Sequence, residues 1–246
     1  MTTARKIKEF VSEQYPYRTE MHAHTKPVSG CSEVPPEQLI EIYKNLGYHG
    51  IVITNHFFMG DVFSDPSRSK EEKLRWYLAG YEEAKKAGDA CGLHVMLGAE
   101  LRFNENFNDY LLYGVDYEIL SDAFDYLEQG LSVYREKGMP KRGVLLQAHP
   151  FRSRMELADP SLLDGIETLN MHPGHNSAVG LAIAYAKENK FPITVAGSDF
   201  HHINRGHEGV AALRTKVMPE DSFALANLLK QGDYVLELGG EAIVFP

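Results

Sequence analysis

His22-Ala-His24 sets two imidazoles two residues apart near the start of the chain. On an extended strand, residues i and i+2 face the same side, so both rings can address one cation. Asp199 and His201 repeat that spacing late in the chain. Between these pairs, apolar runs end again and again on an acid or a histidine. Ile51–Thr54 leads into Asn55-His56, Val95–Gly98 into Ala99-Glu100, Val144–Gln147 into Ala148-His149, and Ile193–Gly197 into Ser198-Asp199-Phe200-His201. Histidine with carboxylate is a ligand set for zinc, manganese or iron. Glu100 has two oxygens and can bridge two ions, and ions ~3.5–4 Å apart are the usual device for phosphoester hydrolysis. A lone histidine after a strand is ordinarily a packed or surface residue, so the ordered set carries the argument.

The elements around these residues alternate. A helix over 5–14 precedes a strand running into His22. Pro35-Pro36 opens a helix to Leu46, and Gly47 stops it. After the strand at 51–54 a helix spans 69–87, with Ser69 as N-cap and Gly88 after its end. Strands at 94–98 and 109–115 follow, then helical material over 121–137. The second half places strands at 143–148, 165–169 and 193–197, with a helix over 177–189 before the last of them. A strand near 209–215, a helix near 219–230 and a strand near 233–238 finish the chain. Such alternation predicts an α/β fold with mostly parallel strands, closed or nearly closed into a barrel. Barrel chemistry sits at strand C-termini, where the residues named above fall.

With 246 residues, 43% of them hydrophobic and 24% charged, the chain has the composition of a soluble globular protein. No linker or repeat divides it, which predicts one domain over 1–246. A net charge of −9 disfavours long nucleic acid as partner. Cys31 and Cys91 do not make a disulfide framework, and a reduced cytoplasmic setting is expected. The first residues, MTTARKIKEFVSEQYPYRTE, lack an apolar leader, and no run approaches the ~18 apolar residues of a membrane helix.

The ordered motifs resemble the PHP (polymerase and histidinol phosphatase) domain family. They read HAHT (22–25), TNH (54–56), GAE (98–100), AHP (148–150) and GSDFH (197–201), spread over about residues 19–202. The resemblance implies a distorted (β/α)7 barrel with two or three divalent ions. It implies that His22, His24 and Asp199 hold one ion, Glu100 bridges, His149 holds a second, and His56 with His201 a third. Two departures stand out. The segment KPVSGCSE after HAHT has no histidine, leaving Cys31 either as a thiolate ligand or as a buried structural cysteine. No histidine lies between His94 and His149, so Asn108, Asp109 or Tyr110 would have to approach the ions.

The expected function is a metal-dependent phosphoesterase acting on a small phosphorylated substrate. Glu100 serves the nucleophile, His201 or His56 the leaving group, and Arg152 the phosphoryl oxygens through its fork. Lys26, Asn170 and His175 are further substrate-binding candidates, and Arg102 and Arg205 weaker ones. His202, next to His201, should point away from the site on an extended chain. Two other readings compete. Amidohydrolase-type C–N hydrolases also begin with HxH and end on an aspartate, but many bridge their ions with a middle-strand lysine, absent here. A non-catalytic metal-binding regulatory domain would fit the two missing histidines.

Overall fold

The computed structural model describes residues 3–206, 208–240 and 242–244. The order is α1 (Thr3–Gln14), β1 (Tyr17–Ala23), α2 (Pro36–Asn45), β2 (Gly50–Ile53), β3 (His56–Phe58), α3 (Lys70–Cys91), β4 (His94–Leu97), β5 (Ala99–Arg102) and β6 (Asp109–Tyr113). It continues through α4 (Tyr117–Phe124), α5 (Leu131–Val133), β7 (Val144–Gln147), β8 (Gly165–Asn170), α6 (Val179–Glu188) and β9 (Ile193–Gly197). The last elements are β10 (Ala211–Thr215), α7 (Ser222–Gln231), β11 (Tyr234–Leu238) and β12 (Ala242–Val244). No helix among the described residues is long and apolar enough to cross a membrane.

This is the mixed α/β, PHP-like architecture expected. One sheet has the order β12-β11-β10-β1-β2-β4 and the other β3-β5-β6-β7-β8-β9. β2 and β3 are two halves of one interrupted strand, as are β4 and β5. Backbone bonds from Gly98 to Ile53 (2.9 Å) and from Glu100 to Asn55 (3.1 Å) carry the pairing across both interruptions. From β9 the hydrogen-bonded circuit returns to β1 through a single parallel bridge, Ala23–Phe200. Alternate residues enter different cores, as the period of two requires. Met21, Val52, Met96, Leu111, Leu146 and Val195 meet in one cluster contributed by many strands. Ile51, Ile53 and Val95 pack instead with Leu39, Ile40 and Tyr43 of α2. Leu112 and Leu145 pack with Tyr77 of α3 and Leu120 of α4.

Four expectations are corrected. β6 runs antiparallel to both β5 and β7, because the link from Arg102 to Asp109 is too short for a parallel crossover, which needs a dozen residues or more. Asp109, rather than the C-terminal end of β6, therefore lies at the functional end. Gly88 does not stop α3, which runs to Cys91 and ends at the left-handed Gly92 (φ 75°). Gly88 lets the helix approach β4 closely, since a Cβ there would lie 2.5 Å from both the Leu93 carbonyl oxygen and Val95. Ser69 does cap α3, in a reciprocal capping box with Glu72. The helical material expected over 121–137 is broken, with α4 ending at Phe124 and Gly130 (φ 92°) preceding α5. β12, finally, was not expected.

Ser222 shows what joins α7 to the strands. Its Oγ accepts from the Gly114 and Val115 amides (2.9 and 3.0 Å) and donates to the Leu97 carbonyl (2.6 Å). Ser222→Ala strands these buried groups and should cost about 1–3 kcal/mol. Urea denaturation should show a lower midpoint with an unchanged slope, and metal content should not change.

Candidate metal centre

The five motif segments converge. His22 lies at the end of β1 and His24 just after it, His56 begins β3, Glu100 lies in β5, His149 follows β7, and Asp199 and His201 follow β9. Three groups of side chains each place their ligand atoms within 4.8 Å of one another: His22, His24 and Asp199; His22, Glu100 and His149; His24, His56 and His201. Glu100 stands among them. Its Oε1 lies 3.2 Å from His22 Nε2 and 3.1 Å from His149 Nε2, and its Oε2 lies 3.4 Å from His24 Nε2 and 2.7 Å from His56 Nδ1. Asp199 Oδ1 lies 3.5 Å from His22 Nε2 and 3.3 Å from His24 Nε2.

The residues fit divalent ions. His22 Nε2, His24 Nε2, His56 Nδ1 and Glu100 Oε2 are buried and have no hydrogen-bond partner. Leaving such atoms unpaired costs about 1–3 kcal/mol each, and a cation accepting their lone pairs removes that cost. The surrounding bonds turn these lone pairs inward. Ser29 Oγ donates to Asn55 Oδ1 (2.9 Å), so it accepts from His24 Nδ1 (3.1 Å), and His24 keeps Nε2 free for an ion. The Asp199 carbonyl accepts from His201 Nδ1 (2.8 Å), with the same effect on that ring.

Two candidate ligands sit on backbone that L residues seldom adopt, His149 at φ 30° and Asp199 at φ 52°. Such conformations cost of order 1–3 kcal/mol and cluster at functional sites. The fold holds both in place. Phe200 N–H donates to the His22 carbonyl (3.2 Å) and His24 N–H to the Phe200 carbonyl (3.0 Å), which seats Asp199 beside β1. Gly197 permits that approach, since a Cβ there would lie 2.4 Å from His22 Cβ.

Behind the ligands are carboxylates that the sequence reading passed over. Glu167, inside β8, accepts from His22 Nδ1 on Oε1 (2.9 Å) and from the His149 amide on Oε2 (3.0 Å). Glu20 accepts from the His22 and Ser198 amides (2.9 and 3.0 Å) and from Tyr43 (2.9 Å). The available signal was an acid inside an apolar run, since a buried charge must be paired. Glu167→Gln should weaken metal binding about 10- to 100-fold, the usual effect of losing such a partner. Chelator competition measures it, and an unchanged affinity would deny Glu167 this role.

Charge follows the same arrangement. Burial opposes a proton on His22, but Glu167, Asp199 and Glu100 outweigh it and hold its pKa well above the ordinary value. His24 is driven well below it, by burial and then by His201 and His56. Against its own burial, Glu100 is held well below the usual carboxylate range by His22 and His56, and Asp199 likewise by His22, His24 and Arg152. Burial takes Glu20 up to about 7.

A cavity of about 400 Å³ opens over the centre, and Arg102, Arg152, Arg154, His172 and His175 are part of its lining. Arg152 reaches Asp199 Oδ2 (2.5 Å) and Asn170 Oδ1 (2.8 Å), while its Nε has no partner. Asn170 stands behind Arg152, its amide also engaged by Glu167 and Ser177, and it is not among the residues lining the cavity. Lys26 is exposed and outside the lining, as is Arg205. His175 is exposed at the mouth against His172, with ring centroids 4.9 Å apart. Contrary to expectation His202 also lines the cavity. Of Asn108, Asp109 and Tyr110, only Asp109 faces the ligands, 3.9 Å from His149 Nε2 and forked by Arg102 (2.7 and 2.9 Å). Cys31 is not a buried structural residue, being exposed and part of the lining.

A family model for the PHP domain matches residues 20–191. The chain belongs to the PHP domain family. The matched segment holds His22, His24, His56, Glu100 and His149; Asp199 and His201 lie beyond it and join the centre by the geometry above. Among solved structures, this PHP-domain chain is similar to a two-domain protein from Bacteroides vulgatus containing a predicted PHP-like metal-dependent phosphoesterase, at 13% identity and a TM-score of 0.57, covering 91% of this chain and 65% of that one. It is also similar to PsfC from Pseudomonas syringae, at 17% identity and a TM-score of 0.55, covering 81% of each chain. At these identities the likeness is one of fold. No curated protein matches the sequence.

Proposed function

We propose that this PHP-domain chain is a metal-dependent phosphoesterase acting on a small phosphate ester, with two or three ions of zinc, manganese or iron. The carrying observation is the convergence of unpartnered imidazole and carboxylate lone pairs beneath a cavity walled by arginines. When bound, the ions supply Lewis acidity and a nucleophile competent at neutral pH.

The chain's own residues account for the rest. Glu100 presents one oxygen to His22 and His149 and the other to His24 and His56, the disposition of a bridging ligand. Arg152 lines the cavity from a position fixed by Asp199 and Asn170, and its guanidinium suits a phosphoryl oxygen. His56 and His201 line the cavity and would neutralise charge on the leaving oxygen. A cavity of about 400 Å³ suits a small substrate, and the net charge of −9 argues against long nucleic acid. No lysine is among the lining residues, which disfavours the amidohydrolase reading.

The test is elemental analysis of the purified protein with turnover assays on aryl phosphates, nucleotides and cyclic amides under several metals. Two or more ions per chain and phosphate release are expected. Amide hydrolysis without phosphate release would support the C–N hydrolase. Fewer than two ions and no turnover would support the regulatory domain.

A further inference from the structure

Three arginines line the cavity over the centre, and two of them are already matched by acids. Arg102 is forked by Asp109 (2.7 and 2.9 Å), and Arg152 lies on Asp199 (2.5 Å). Arg154 differs, since among the described residues no carboxylate pairs with it. Its guanidinium carbon instead lies 3.7 Å from the centre of the Phe107 ring. The ring face attracts the cation through its quadrupole, yet takes none of the five N–H donors.

An exposed arginine is ordinarily a solvated surface residue, but the backbone of this one is fixed. Arg154 sits at φ 75°, a left-handed conformation that residues with a Cβ seldom adopt and that recurs at ligand clamps. The loop carrying it is pinned from within. Asn108 Oδ1 accepts from the Glu156 amide (2.8 Å), Gln147 Nε2 donates to the Glu156 carbonyl (2.6 Å), and Gln147 Oε1 accepts from the Ala158 amide (3.2 Å). Asn108 and Gln147 are buried, and Asn108 adjoins Phe107, so one anchor holds both the ring and the loop whose arginine rests on it. Arg152, in contact with Asp199, falls to the phosphoryl group at the ions. Arg154 touches no candidate ligand and serves the part of the substrate beyond that group. We propose that Arg154 determines specificity by binding a second anionic group of the substrate, a carboxylate or a phosphate-type group remote from the ester that is cleaved. The substrate class is then a small phosphate ester bearing another anion. The inference rests on the phosphoesterase reading.

Steady-state hydrolysis of alkyl phosphates of graded length by the metal-loaded full chain tests it, with esters ending in a carboxylate, a phosphonate or a neutral hydroxyl. At the favoured length, kcat/KM should be ~10- to 100-fold higher for an anionic ending than for the hydroxyl, the range of a charge-assisted hydrogen bond. Which anion leads identifies the group. Arg154→Met keeps an apolar stem for Phe107 and loses the charge, so it should bring that preference close to one, chiefly through KM. Arg154→Lys should keep part of it, since an ammonium retains the charge without the fork. Arg152→Ala should lower the rates on all three endings together and leave the preference standing. Phosphate release by wild type with equal kcat/KM for the three endings, or a preference that survives in Arg154→Met, overturns the role of Arg154 and leaves the phosphoesterase standing. No phosphate release by wild type from any of the esters overturns both.

Discussion

Glu100→Ala is expected to strip the centre of its ions and to abolish phosphoester hydrolysis. Both Glu100 oxygens face histidine nitrogens, His22 and His149 from one and His24 and His56 from the other, at 2.7 to 3.4 Å. Its removal takes a negative charge from four imidazoles at once and deletes the atom pair able to join neighbouring ions. Metal content should fall below one ion per chain. The rate should fall more than the ~10²–10³ typical for one preorganised group, because binding and chemistry fail together. Glu100→Gln keeps the shape and loses the charge, so it should behave similarly, with circular dichroism confirming the fold. Activity within tenfold of wild type in either variant would refute the bridging role.

Arg152→Ala should separate chemistry from metal binding. The guanidinium lies 2.5 Å from Asp199 Oδ2 and 2.8 Å from Asn170 Oδ1. Removing a cation beside a candidate ligand makes the centre more negative, so metal affinity should hold or rise. Meanwhile kcat/KM should fall ~10²–10³-fold through loss of a donor to the phosphoryl oxygens. Arg152→Lys should recover only part, since an ammonium cannot make the planar fork. Loss of metal together with activity would recast Arg152 as a structural partner of Asp199.

Much of the centre was legible because strand phase is local. The i, i+2 pairs His22/His24 and Asp199/His201 needed only extended backbone to share a face, and the apolar run before Glu100 announced a strand. Asp109 could not be chosen over Asn108 or Tyr110, since that required knowing that β6 runs backward. Gly88 read as a helix stop because close approach of helix to strand leaves no local trace. Glu167 was missed because its partners His22 and His149 are 145 and 18 residues away.

The sequence by itself determined the donor types, their order and the faces their strands present, because these depend on residue chemistry and a period of two. Tertiary structure alone decided which donors share an atom's neighbourhood. It set Glu100 among four histidines, put Arg152 on Asp199 and Asn170, and brought Cys31 into the lining of the same cavity as His56 and His201. Those contacts arise from strand direction and circuit closure, and they are long-range, so no local pattern encodes them.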